Sequence, residues 1–118
     1  MLRAQDFRRI ALAMEGAVEG AHMGHPDFRV RSRIFATLHP GGATGMVKLI
    51  PEQQETLVHD HPDTLSPENG AWGRQGCTCV RLDAIDEDTL GGAMTLAWQN
   101  VVQRPAARRT TKRIPRKS

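Results

Sequence analysis

Apolar and polar residues alternate at three places in the chain: Phe28-Arg29-Val30-Arg31, Met46-Val47-Lys48-Leu49 and Thr78 to Leu82. A period of two marks a strand with one buried face. The first two stretches anchor a predicted β-meander from His25 to Pro51. Its first strand runs to Val30, turns at Arg31-Ser32-Arg33 and returns as Ile34 to Leu38. A Gly41-Gly42 loop then leads to a third strand, Gly45 to Ile50. Ala17 to His22 is a further candidate strand leading into the meander. In the third stretch Thr78, Val80 and Leu82 share one face, and Cys77, Cys79 and Arg81 the other. Gly70 to Gly76, just before it, reads as the end of one more strand followed by a glycine-rich turn.

Helical periods occupy the rest. Phe7, Ile10, Ala11 and Met14 stand at i, i+3, i+4 and i+7 within residues 3–15, and Gly16 is placed to stop that helix. Pro51 suits the first turn of a second helix and Glu52 its positive end. Leu57 and Val58 form its inward side, and it frays by His59 to Pro62. Ile50 offers no cap, which leaves the start to the proline. Asp86 is a good N-cap for the last helix, with Glu87 and Asp88 in its first turn. Leu90, Ala93, Met94, Ala97, Trp98 and Val101 keep the period for three turns, although Gly91-Gly92 weakens the start by about 1 kcal/mol each relative to Ala. The order is α-β-β-β-β-α-β-β-α. That predicts an α+β fold with a single antiparallel β-sheet and helices packed on one face.

Charge divides the chain in two. Of 16 Lys and Arg, seven lie between Arg104 and the end, where there is no acid. The remaining nine share residues 1–103 with all 13 acids, a net of −4, so the +3 of the whole chain belongs to the tail. Residues 1–103 are read as one domain of ordinary size and apolar content. Residues 104–118 are read as a basic tail, disordered in isolation. Cys77 and Cys79 are the only cysteines. At i,i+2 on a strand their Cα atoms stand roughly 6–7 Å apart, at or beyond the upper end for a disulfide. Reduced thiols in a cytoplasmic protein are expected. No apolar run reaches the length of a signal peptide or a membrane span, and no membrane association is expected.

Four stretches at their intervals carry a resemblance: Gly24-His25-Pro26-Asp27-Phe28-Arg29-Val30, Ile34-Phe35-Ala36-Thr37-Leu38, Lys48-Leu49-Ile50-Pro51-Glu52-Gln53-Gln54 and Gly70-Ala71-Trp72-Gly73-Arg74-Gln75-Gly76. With the closing Leu96-Ala97-Trp98 helix they make residues 3–103 resemble the MmcQ/YjbR family of small bacterial proteins. The resemblance implies helices backing one antiparallel sheet, similar to the double-wing DNA-binding arrangement and to secretion-chaperone-like folds. It implies DNA binding by analogy of fold, with no shared catalytic motif. The chain departs from the family at Cys77, a position commonly aromatic, and at Ile50, where a small hydroxyl residue is usual.

The segments 28–50 and 70–82 hold six bases and no acid, and the 13 acids are assigned to helices and connecting loops. If the apolar sets meet the helices, Arg29, Arg31, Lys48 and Arg81 share the open face, with Arg33 and Arg74 at its turns. A positive surface on a net-negative domain is the footprint of a phosphate-backbone binder. Equally, long Arg side chains cover exposed sheet surface well without binding anything. The tail residues Arg108, Arg109, Lys112, Arg113, Arg116 and Lys117 would add affinity without sequence preference. DNA is the expected partner, and RNA would meet the same charges. The alternative is a protein-interaction module that holds a peptide, or a second copy as a homodimer, on the open face or an edge strand. No catalytic motif appears: there is no nucleophile elbow, phosphate loop or dinucleotide fingerprint, so a non-enzymatic protein without cofactors is expected. His22 with His25, and His59-Asp60-His61 with Asp63, lack the paired spacing of a zinc site, so no metal is expected. His25 is read as a turn residue before Pro26. Trp72 and Phe35 are the aromatics that could reach the open face as stacking residues, and Trp98 is assigned to the core.

Overall fold

The computed structural model describes residues 1–103; the tail bases singled out above lie outside them. The elements in chain order are α1 (Ala4–Leu12), β1 (Val18–His22), β2 (His25–Val30), β3 (Arg33–Leu38), β4 (Thr44–Lys48), α2 (Pro51–Asp60), β5 (Leu65–Pro67), α3 (Gly70–Arg74), β6 (Cys77–Arg81) and α4 (Glu87–Val102). The six strands form one sheet in the order β1-β2-β3-β4-β6-β5, antiparallel throughout.

The alternation read from the sequence decides which face is covered. Phe28, Ala36, Val47 and Thr78 lie opposite one another across β2, β3, β4 and β6, and all are buried. Against them pack Phe7, Ile10 and Ala11 of α1 and Leu90, Ala93, Met94 and Ala97 of α4. The rings of Phe7 and Phe28 stand 5.8 Å apart, centroid to centroid, in a tilted pair. Between β2 and β3 the register slips at Phe28 and Arg29, which pair with Ala36 and Ile34. Phe35 is the extra residue of this bulge, and it is wholly buried rather than available for stacking. Trp98 is only partly buried; its indole N–H donates to the Glu15 carbonyl at 2.8 Å.

Helix α2 is held by its amides more than by apolar burial, since none of its residues is fully buried. Gln54 Nε2 donates to the carbonyls of Gly73 and Cys77, both at 3.0 Å. Gln53 Oε1 accepts from the Ile50 N–H and from Asn100 Nδ2 of α4. The start of α2 therefore has support beyond Pro51. Asp86 caps α4 as expected, accepting from the Thr89 N–H at 2.9 Å.

Two features differ from the sequence reading. The segment read as strand and turn is the short helix α3, and the sixth strand is β5, a three-residue edge strand inside what reads as loop. Glycine explains α3. A Cβ on Gly73 would meet the Glu68 carbonyl, so only glycine lets the helix close onto the end of β5. The second difference is charge: Glu19 lies in β1 and Asp27 in β2, so two of the acids are strand residues.

Gly73→Ala separates helix propensity from packing. Propensity alone would stabilise α3 by about 1 kcal/mol, whereas the close approach to Glu68 predicts a loss of about 1–3 kcal/mol. Urea unfolding should show a lowered midpoint with an unchanged m-value.

Candidate functional site

Strand alternation places Gly20, Asp27, Thr37, Met46, Cys79 and Ser66 in one row across the uncovered face, from β1 to β5. Near one end of this row sits an acid that the apolar pattern does not reveal. Asp27 is 0% exposed. Its carboxylate accepts two hydrogen bonds from Arg29, Nε at 2.8 Å and Nη2 at 3.0 Å, and lies 2.7 Å from His22 Nδ1. A bidentate guanidinium is the arrangement that makes a buried carboxylate tolerable. Arg29, two residues along the same strand, holds the Asp27 carboxyl below the usual carboxylate range; burial opposes this and His22 adds to it. Gly20 of β1 is the floor on which the pair rests, since a Cβ there would press on Asp27 Oδ1.

The predicted cations have different fates. Arg29 is neutralised by Asp27. Arg31 donates to the Val102 carbonyl at 3.0 Å and so caps the end of α4. Arg81 lies 3.7 Å from Asp83, and both side chains are exposed. It pairs with Thr44, whereas Cys77 at the other end of β6 pairs with Lys48. At about 3.3 Å per residue those two ends are roughly 13 Å apart. Among the described residues Arg33, Lys48 and Arg74 have no carboxylate within ion-pair distance.

Two concavities adjoin this face, the first at the end of the sheet beside α4. A groove of about 720 Å3 is lined by Arg29, Arg33 and Lys48, by the amides Gln75, Asn100 and Gln103, and by no carboxylate. It brings together three of the six predicted sheet cations; Arg31 stands behind it as the cap on α4, and Arg74 and Arg81 do not line it. The hairpin that forms its wall turns at Arg31 and Ser32, both with positive φ (55° and 65°). That conformation suits the two-residue β-hairpin, but it usually calls for Asn or Gly. Gln103, the last described residue, also lines the groove.

The second concavity, about 390 Å3, is lined by His22, Ile34, Thr37, His39, Met46, Lys48, Glu68, Asn69, Trp72 and Cys77. Ile34, Lys48 and Cys77 border both spaces. Trp72 on α3 is 65% exposed at its rim, the one predicted aromatic that does reach this side. Burial pushes the Cys77 and Cys79 thiols up, and Glu68 adds to the rise in both. His25 is not a turn residue but part of β2, where its ring packs edge-on against His22 at 4.7 Å.

The Asp27 lock has a pH signature. A carboxyl whose folded value is depressed contributes stability that is present above its unfolded value, about 3.9, and is lost as pH falls through the lower folded value. Asp27→Asn should therefore be destabilised relative to the parent at neutral pH. That gap should narrow below about pH 4. Thermal unfolding of both proteins across the acid range reads this directly, and a gap independent of pH would contradict the lock.

Comparisons with known proteins agree with this architecture. A protein DR2400 of Deinococcus radiodurans, solved by crystallography and described as a DUF419 domain, superposes with a TM-score of 0.76 over 92% of this chain and 86% of its own, at 21% identity. At that identity the likeness shows the fold. No functionally curated protein matches the chain significantly. Among the described residues no helix is long and apolar enough to cross a membrane. The family model described as YjbR matches residues 12–100, a span that takes in the Asp27 lock, the smaller hollow, most of the groove lining and all but the end of α4: the chain belongs to the YjbR family.

Proposed function

We propose that the protein binds nucleic acid non-enzymatically through the phosphate backbone, with the Arg33–Lys48 groove as the seat and the basic tail as a second, sequence-independent contact. The observation that carries this reading is the carboxylate-free lining of the groove. Phosphate contacts need cations with free donors rather than cations already paired. Arg33 and Lys48 meet that requirement among the described residues, while Gln75, Asn100 and Gln103 add neutral amide groups around them. Arg29 contributes shape more than charge, because Asp27 balances it. Arg31 offsets the negative end of α4 that would otherwise face an incoming phosphate. Contacts to phosphate carry no sequence information, so this part of the affinity is sequence-tolerant, and duplex DNA and RNA meet the same cations. A cytoplasmic location follows from the same reading.

A second reading has its own support. Trp72 stands exposed beside a hollow that Ile34 and Met46 also line, and such an anchor also suits a protein partner. Salt dependence separates the two. In a titration with duplex DNA, each phosphate contact contributes about 0.9 to the slope of log K against log salt. Arg33→Ala with Lys48→Ala should lower that slope by roughly 2, while Arg81→Ala leaves it unchanged. An unchanged slope in the double variant removes the groove from the binding site.

A further inference from the structure

The hollow beside the groove carries a chemistry of its own. His39 follows β3, Glu68 follows β5 and Cys79 lies in β6, so three separate strands deliver them to the open face. One donor atom from each lies within 4.8 Å of the other two: an imidazole nitrogen, a carboxylate oxygen and the Cys79 sulfur. Glu68 Oε2 is buried and has no hydrogen-bond partner, although His39 Nε2 stands 2.9 Å away. A proton on Nε2 would point off the line to that oxygen, so no hydrogen bond joins the two atoms despite their closeness. A buried carboxylate oxygen placed in this way is unsatisfied until a cation joins it.

The surroundings fix each donor. Nδ1 of His39 lies 2.7 Å from Thr44 Oγ1. Donating its proton there orients the ring and leaves the Nε2 lone pair facing the cluster, as the outer hydrogen bond of a metal-bound histidine does. The Glu68 N–H donates to the Cys77 carbonyl at 2.9 Å, and the Glu68 carbonyl lies against Gly73, so the backbone that carries the carboxylate is held from both sides. Cys79 is fixed by its place in a paired strand, between β4 and β5.

We propose that His39, Glu68 and Cys79 bind one zinc-class divalent transition-metal ion at the edge of the hollow. The donor set decides the class. Imidazole and thiolate beside a carboxylate suit zinc, whereas magnesium and calcium take oxygen donors. Ligands at about 2.0–2.3 Å from a tetrahedral ion are spaced by roughly 3.3–3.8 Å, so side-chain adjustments within the present cluster close the site. His39 and Glu68 line the hollow, so a fourth ligand would reach the ion from that side. Residues 104–118 contain no His, Cys, Asp or Glu and add no competing ligand.

Cobalt(II) is the probe, because a cobalt–thiolate bond has its own charge-transfer absorption. The full-length chain, reduced and titrated with Co2+, should develop that absorption and saturate at one ion per chain. Zinc should then displace the cobalt. Cys79→Ser should abolish the band while Cys77→Ser keeps it, which separates the two thiols. Thr44→Val, which removes only the group orienting His39, should weaken binding by roughly 10–100-fold, and His39→Ala by more. Circular dichroism of each variant checks folding, and the parent spectrum stands without any variant. Absence of a thiolate band in the parent overturns the proposal, as does a band that survives in Cys79→Ser. Cobalt held only by the His59–Asp63 segment would show no thiolate band and would count against it too.

Discussion

A sheet backed by helices on one side only has to satisfy its other side without a hydrophobic core. In this chain α1 and α4 cover one face of six strands. The opposite face closes over a carboxylate, Asp27, which is excluded from water and held by Arg29 and His22. An uncompensated charge there would be costly. The pairing therefore constrains what the neighbouring strands can present, from the glycine at position 20 to the cation that remains available for other work.

That constraint redistributes charge across the face. Arg29 is consumed by the lock, Arg31 by the end of α4, and Arg81 leans toward Asp83. The acid-free groove with Arg33 and Lys48 is left at one end, and the hollow with His39, Glu68 and Trp72 lies across Ile34, Lys48 and Cys77 from it. The positive-φ hairpin at Arg31-Ser32 belongs to the same system, since its turn aims one arginine at the helix end and leaves Arg33 on the groove. Backbone conformations of this kind persist where surrounding contacts over-determine them.

Much of the fold was legible in the sequence. Alternation at Phe28 and Val30 and at Val47 and Leu49, together with the stripe from Leu90 to Val101, located the covered face because burial imposes those periods directly. Helix α3 was not legible, since Gly70 and Gly73 disfavour a helix locally and a tertiary approach to Glu68 overrides that preference. The site was legible only in part. Counting bases picked out Arg33 and Lys48, which line the groove unpaired among the described residues, together with residues already engaged, because a charge count carries no partner information. Asp27 escaped because it lies just outside the acid-free stretch; its i,i+2 spacing from Arg29 on one strand was the available signal. His39, Glu68 and Cys79 are far apart in the chain, and only the β3-β4-β6-β5 order brings them together.

On the proposed reading, phosphate meets this protein at the groove where β3 begins and β4 and α4 end. Amide chemical-shift mapping of the labelled full-length chain, titrated with a short DNA duplex at low salt, tests it directly. The predicted result is a continuous patch of perturbed amides at Arg33, Lys48, Gln75 and Gln103, with Arg81 and its neighbours unmoved. Perturbations confined to residues 104–118, or centred on Trp72, would contradict it.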